Sequence, residues 1–408
     1  MNGSILNVNK TVPVDESIIN SEYHTHLPYS ATSLDNNDEI RIPIESQNIY
    51  TYPSESYIIL EGNLISQEKG HYSTKLSFIN NGFLHLFEEC RYELGGTIIA
   101  RSRFPGITST LKGYASFTPN DCIKNANSGW SITEHPKIVE PTTGYFNVCI
   151  PLKQILGFGE DFKKIIINLQ QELVLVRSHT DFNATITTDG ATDTPKVKIT
   201  KIMWKVPHIS VSDEQKLVLL QHLEMQNNLE ISFRNWSLQK LPVLPKTKSY
   251  DWTIMTVKQS EVPRYMIVGF QTDRENSKTR DNSDFDHCNL TNLKVYLNSE
   301  VYPYDNLNID FKKKHYAIAY EMYARFQESY YFQGKSEPCL SLTNFIQKAP
   351  IFIIDCSHQN EAVKGGAIDV RLELESSENF PDNTSVYCLI IHDRTVIYNP
   401  LSNLVKVQ

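Results

Sequence analysis

Apolar positions along this chain fall in short runs, and most runs alternate with polar residues. From about residue 41 onward Ile42, Ile44, Ile49 and Tyr50 lead into the run 57–60, followed by 83–87, 91–94, 97–100 and 145–150. Short segments rich in β-branched and aromatic side chains predict strands. Gly95-Gly96 sits between two of them and predicts a hairpin, because glycine supplies positive φ at no steric cost. Pro105-Gly106 predicts the next turn. Residues 152–158 read as one or two helical turns. The run 165–177 reads as a long strand, although Ile165-Ile166-Ile167 breaks strict alternation. Residues 197–204 predict another strand, stopped by Pro207.

Ser212-Asp213-Glu214 has the form of a helix start, with Ser212 as N-cap. Leu217, Leu219, Leu220 and Leu223 then give a short amphipathic helix. A second series of strands follows at 229–233, 251–257, 264–272, 293–297, 350–355, 370–374, 385–391 and 395–398. Within it, residues 312–331 place Tyr316, Tyr320, Tyr323, Phe326 and Tyr330 on one face of a helix. Such a stripe is core more often than ligand groove. The polar segments 178–196, 238–250 and 273–287 predict loops, with 178–196 and 273–287 on the outer surface.

This organisation predicts four parts. Residues 1–40 are polar and acidic and read as a flexible N-terminal arm. Residues 41–206 form a first jelly roll, 207–227 a linker with a short helix, and 228–408 a second jelly roll. Strands recurring without alternating helices argue for sandwiches rather than a parallel α/β sheet. The fold class expected is all-β, with two tandem eight-stranded jelly-roll sandwiches carrying short helical insertions.

Composition narrows the function. A chain of 408 residues has room for two or three domains. With 40% hydrophobic and 21% charged residues it has globular rather than disordered composition. A net charge of −8 argues against a broad basic face for nucleic acid, and the acidic arm is unlike a genome-binding one. No apolar run approaches the length of a membrane span, and the first thirty residues lack the pattern of a secretory signal. The seven cysteines are scattered, with no C-x-x-C pair. That pattern fits free thiols in a reducing compartment, not a disulfide framework or a structural zinc site.

Candidate chemistry is sparse. Cys356 and His358 would share one face of an extended segment, as a nucleophile pair would, but a packed strand end is the commoner use of such residues. Asp286-His287-Cys288, with His24 and His26, invites a metal reading, yet no second ligand pair stands at usable spacing. Gly157-Phe158-Gly159 lacks the third glycine and the strand–helix context of a phosphate loop. His392-Asp393 reads as a satisfied turn. Trp130, Trp204, Trp236 and Trp252 are spread two per half, as packing residues are. No catalytic, cofactor-binding or metal residue is therefore assigned, no cofactor is expected, and the chain reads as a non-enzyme whose function is a surface.

Several segments are specific enough to name a family. In the second half these are 263–272 (PRYMIVGFQT), 285–288 (FDHC), 295–304 (VYLNSEVYPY), 326–331 (FQESYY), 352–357 (FIIDCS) and 381–391 (PDNTSVYCLII). In the first half 91–96 (RYELGG), 105–107 (PGI), 111–114 (LKGY) and the junction 204–209 (WKVPHI) belong with them. Together they resemble the double jelly-roll major capsid proteins of Polinton/Maverick elements and adintoviruses, over roughly residues 40–402. The motifs are structural and carry no chemistry, so their specificity lies in their number and order.

The resemblance implies a hexon-like capsid protein. Three chains would give a homotrimeric, pseudo-hexameric capsomer that tiles the icosahedral shell of a double-stranded DNA virus or virus-like transposon. The partners implied are other copies of itself, neighbouring trimers and a penton-type single jelly-roll minor capsid protein, with no specific nucleic-acid binding. The location implied is the virion shell, after synthesis in the host cytosol or nucleus and without secretion. Two alternatives belong to other classes. One is a domesticated β-sandwich binding protein, lectin- or receptor-like, that no longer assembles. The other is a Cys–His hydrolase built on Cys356.

Overall fold

The computed structural model describes residues 17–29, 34–44, 50–188, 192–224, 228–254, 261–332, 334–358 and 368–408. Eight principal strands make up the first half. They are β1 (Ile18–His26), β2 (Glu39–Ile44), β3 (Tyr57–Ser66), β4 (Phe87–Leu94), β5 (Thr97–Arg103), β6 (Tyr145–Pro151), β7 (Gln171–Arg177) and β8 (Pro195–Val211). Eight more make up the second: β9 (Leu229–Leu241), β10 (Ser249–Ile254), β11 (Pro263–Thr272), β12 (Leu290–Leu297), β13 (Glu300–Tyr302), β14 (Phe352–Asp355), β15 (Val370–Ser376) and β16 (Thr384–Asn399).

The two halves repeat one topology. In the first, the sheets run β6-β3-β8-β1 and β2-β7-β4-β5. In the second they run β14-β11-β16-β9 and β10-β15-β12-β13. Adding eight to every label turns one half into the other. Each half is a pair of antiparallel four-stranded sheets packed face to face, a jelly roll. Short extra strands extend the first sheet of each roll: 50–51 and 166–167 in one, 404–407 in the other. The helical insertion also falls in the same slot, between the fifth and sixth strands. It is α1 (Pro105–Ser116) in the first roll, while α2 (Asp213–Glu224) joins the rolls and α3 (Ala317–Tyr331) is the insertion in the second.

Alternation in the sequence produces the sandwich directly. β3 buries every second residue over ten positions, so Ile58, Leu60 and Leu64 enter the core while their neighbours face outward. Gly95 and Gly96 adopt φ of 55° and 76° and close the β4–β5 hairpin as expected. The four tryptophans are all buried, at most 9% exposed. Tyr323, Phe326 and Tyr330 of α3 lie in the core of the second roll, with Tyr316 and Tyr320 packed against it.

Several expectations need correction. Residues 18–26 are not a flexible arm: they form β1, paired to β8 from Ile18↔Val211 to His26↔Trp204, and β2 begins at Glu39. The arm was expected from polarity, and an edge strand exposed along nearly its whole length tolerates polarity. Pro207 does not stop β8, which runs on to Val211; its missing N–H is harmless there, and its carbonyl still accepts from the Tyr52 N–H at 2.9 Å. Residues 82–85 form one helical turn instead of a strand, because short apolar runs read alike in both states. Pro105 does not mark a turn. It starts α1 at the first helical position, after Phe104 bends the chain with φ of 47°. The run 165–177 breaks at Asn168, whose φ is 48°, into 166–167 and β7. α3 starts at Ala317, five residues later than its apolar stripe implied. The segments 385–391 and 395–398 are one continuous strand, β16. The loop at 273–287 is only partly on the surface, since Ser283 and Phe285 are 1% exposed. Residues 255–257 of the expected 251–257 strand lie outside the described residues.

Candidate functional site

The sequence candidates for chemistry separate in space. Strand β14 ends at Asp355, and the chain turns, so Cys356 is fully buried while His358 is exposed. They do not share a face. Burial, with the Asp355 charge adding to it, pushes the Cys356 thiol far above the usual range, the opposite of what a nucleophile needs. Asp286 accepts from Arg274 Nη2 at 2.7 Å and from the Thr272 N–H at 2.9 Å. His287 stacks on Phe311 with centroids 4.3 Å apart, and Cys288 is buried with its thiol pushed up to about 12. His392 faces Glu261 at 3.1 Å, whereas Asp393 pairs with Arg264. Among the described residues no group of three or more His, Cys, Asp or Glu is arranged to hold a metal ion.

His24 and His26 do come together, but with His208 of β8. The His24 and His208 rings stack at 4.1 Å, and His26 Nε2 lies 3.2 Å from His208 Nε2. Burial first, then the neighbouring imidazoles, lowers His208 to about 4. Sequence reading missed His208. The signal was available only through register, because β1 and β8 are some 180 residues apart and Glu22 pairs with His208.

A groove of about 1070 Å³ opens beside the C-terminal end of α3, lined among others by Arg234, Arg264, Arg325, Asp355 and Asp393. Its cations are already matched: Arg234 with Asp161, Arg264 with Asp393, Arg325 with Glu321. That leaves a wall of satisfied pairs rather than a reactive cluster.

A buried polar cluster is built at the seam between the rolls. Lys112 of α1, only 3% exposed at its side chain, donates to Glu160 at 3.1 Å. Glu160 also accepts from the Tyr330 hydroxyl at 2.8 Å and the Tyr331 hydroxyl at 2.5 Å, both from α3. Burial draws the Lys112 ammonium below its usual range, and Glu160 opposes that pull. Next to it, Arg234 of β9 grips Asp161 through two nitrogens, with its guanidinium 3.5 Å from the centre of the Tyr330 ring. Gly157 earns its place here. A Cβ on it would meet the Arg234 carbonyl oxygen at 1.9 Å, so the Gly157-Phe158-Gly159 stretch serves close backbone approach and not phosphate binding.

Apolar packing crosses the same seam in both directions. Ile107, Leu111, Tyr114 and Ala115 of α1 belong to the core of the second roll, and all twelve α1 residues are buried. In return Ile231, Phe233, Val396 and Tyr398 belong to the core of the first. This arrangement holds two sandwiches in fixed orientation. Its polar groups pair with one another across the two rolls, as in a structural joint.

Comparison with known proteins agrees with that character. The chain has the fold of a virus capsid chain of PBCV-1, with TM-score 0.62 and 11% identity over 98% of both chains. It is similarly close to a protein of the Sputnik virophage, with TM-score 0.61 and 10% identity over 100% of this chain and 92% of that one. For the mavirus major capsid protein the TM-score is 0.57 with 10% identity, over 100% of this chain and 93% of that one. At such identities the likeness is one of fold. No curated protein matches the sequence. The family model described as the double jelly roll-like domain matches residues 76–396, most of the chain, and the protein belongs to that family.

Proposed function

We propose that this chain is a major capsid protein, of the Polinton/Maverick–adintovirus type, whose homotrimer forms a pseudo-hexameric capsomer of an icosahedral shell. The observation that carries this reading is the duplication: one chain presents two rolls of identical strand order, locked side by side. Threefold closure of such a chain places six similar rolls around one axis, which suits a sixfold lattice position. A fivefold position cannot be filled this way, which calls for a penton-type single jelly-roll partner. The net charge of −8 leaves genome packing to other proteins. The site of action is the virion shell, after synthesis in the host cytosol or nucleus.

Light scattering on the purified protein, followed by imaging of the peak fraction, tests the assembly. The expected species has about three times the 46.8 kDa chain mass and a hexagonal outline. A clean monomer at high concentration would overturn the capsomer reading while leaving the fold intact.

A further inference from the structure

We propose that strand β1 pairs with β1 of a second copy of this chain, antiparallel about a twofold axis at Tyr23, and so joins the first sheets of two chains into one. β1 is the last strand of its sheet, and among the described residues it is paired only with β8. Eight of its nine residues are exposed, Ile19 at 69%, and Leu27 just beyond its end is 55% exposed. An edge of this length is a template for another strand, and folded chains commonly blunt such edges with lysine, proline or a bulge. β1 holds no lysine, arginine or proline. Its bulge lies at the start, between Ile18 and Asn20, so Asn20 to His26 run as a regular edge. Pro28 follows, and its missing N–H ends a ladder there.

The strand is complementary to itself. Tyr23 opposite Tyr23 puts Glu22 opposite His24, Ser21 opposite Thr25 and Asn20 opposite His26, each pair twice over. Leu27 of one copy then reaches the end of the strand that carries Ile19 in the other. Residues two apart share a face, so one face of the joined ribbon carries the carboxylates, imidazoles and Asn20 amides, and the other carries the hydroxyls and the Tyr23 rings. A carboxylate meets an imidazole, a hydroxyl a hydroxyl and a ring a ring, which are cross-strand pairs of the kind that stabilise antiparallel sheets. Moving the axis to Glu22 would set two carboxylates face to face, and moving it to His24 would set Ser21 against Leu27.

Within one chain these groups are already held for a partner. Asn20 donates to Glu22 at 2.7 Å, and Glu22 lies 4.0 Å from His24 with both side chains more than half exposed. The His24 ring is fixed by its stack on His208. The Tyr23 ring leans on Tyr57 of β3, with centroids 5.2 Å apart, which steadies the residue on the axis. Main-chain hydrogen bonds from alternate residues supply the attachment, as in other strand additions. The two patches are the same patch, so the contact closes on two chains. It does not rest on the threefold capsomer, because lone chains and chains of two different trimers could pair in the same way.

The test reads the register by cross-linking. Opposed Cα atoms in an antiparallel pair lie about 4.5–5.5 Å apart, within the reach of a disulfide. Position 21 of one copy and position 21 of the other would lie four residues apart along the ribbon, about 13 Å, which no disulfide spans. Full-length Ser21→Cys and Thr25→Cys, both substituted at exposed positions, are mixed at high concentration and treated with oxidised glutathione, and a non-reduced digest is mapped. The peptide joining 21 to 25 should exceed the 21–21 and 25–25 peptides at least about tenfold, because only the opposed positions are within bonding range. Tyr23→Cys should link to itself, whereas Ser21→Cys alone should not. Like and unlike peptides in the proportions of random encounter would overturn the proposal, and so would the absence of a cross-link in every sample. Neither result bears on the trimer, whose mass is read separately.

Discussion

Glu160 is the residue on which the seam turns. It is acceptor to one ammonium and two phenolic hydroxyls at once, and the ammonium it serves is buried. Removing one partner of a buried pair leaves an uncompensated charge, which is far more harmful than the modest net worth of the intact pair. Glu160→Ala should therefore lower the unfolding free energy by about 3–5 kcal/mol in a urea titration. Glu160→Gln keeps an acceptor for the tyrosines and should lose less. A loss below about 1 kcal/mol for the alanine variant would mean that Lys112 reaches water by another route. None of this was legible in the sequence. Lys112, Glu160 and Tyr331 are far apart in the chain, and a lone Lys in Leu-Lys-Gly-Tyr reads as a surface residue. The absence of a chemical motif was legible. So was the packing role of the aromatic stripe, because a helical spacing of bulky rings has few other uses.

At the scale of single elements, β1 shows what patterning cannot see. Strand prediction rests on apolar alternation, and β1 (Ile-Ile-Asn-Ser-Glu-Tyr-His-Thr-His) has little, because it is exposed along nearly its whole length. It is recognised as a strand only through its ladder with β8. α1 failed in the opposite sense: Pro105-Gly106 looks like a turn, yet proline at the first helical position and close packing of Gly106 on the His85 ring are what its buried start requires. The strands with clean alternation, such as β3 and β9, were legible because one face of each meets a core.

The attachment of β1 carries a pH dependence. His26 and His208 are both held below the ordinary imidazole value of 6.5, in each case mainly by burial and then by neighbouring imidazoles; His208 stands at about 4. A lowered folded pKa means that the docked strand favours neutral rings. Its contribution is complete above about pH 6.5 and is lost as the pH falls towards about 4, because the detached strand takes up protons that the docked strand refuses. Glu22, 4.0 Å from His24, is the carboxylate facing the group and is itself solvent-exposed, so it offsets little of this. Amide exchange in residues 18–26, corrected for its intrinsic pH dependence, should quicken between pH 7 and pH 5. His208→Gln should flatten that difference. Equal protection at both pH values in the parent chain would show that the rings stay neutral or find other partners.

For the whole molecule, the interlocked cores decide how it unfolds. The two halves share a topology so completely that each could be taken for an independent domain, and sequence reading divides them at a linker. The cores are not divided there. α1 leaves the first roll to complete the second, while the ends of β9 and β16 complete the first. Arg394 of β16 reaches the Ile99 carbonyl of β5 at 3.1 Å, and Lys348 reaches the Ile132 carbonyl at 2.7 Å, so the polar framework crosses as well. Opening either roll would strip apolar surface from the other, which couples their stabilities. Calorimetry on the full chain should accordingly show one transition, with calorimetric and van't Hoff enthalpies that agree, rather than the two expected of tandem domains. Two resolved peaks would show that the exchanged elements contribute too little to bind the halves. The coupling also bears on the capsomer proposed above. A capsomer lattice transmits load through each subunit, and a subunit whose rolls could part at the linker would yield there first. The exchange of α1 against β9 and β16 places that weak point inside a shared core, and it makes the orientation of the two rolls a property of the fold rather than of the connecting helix.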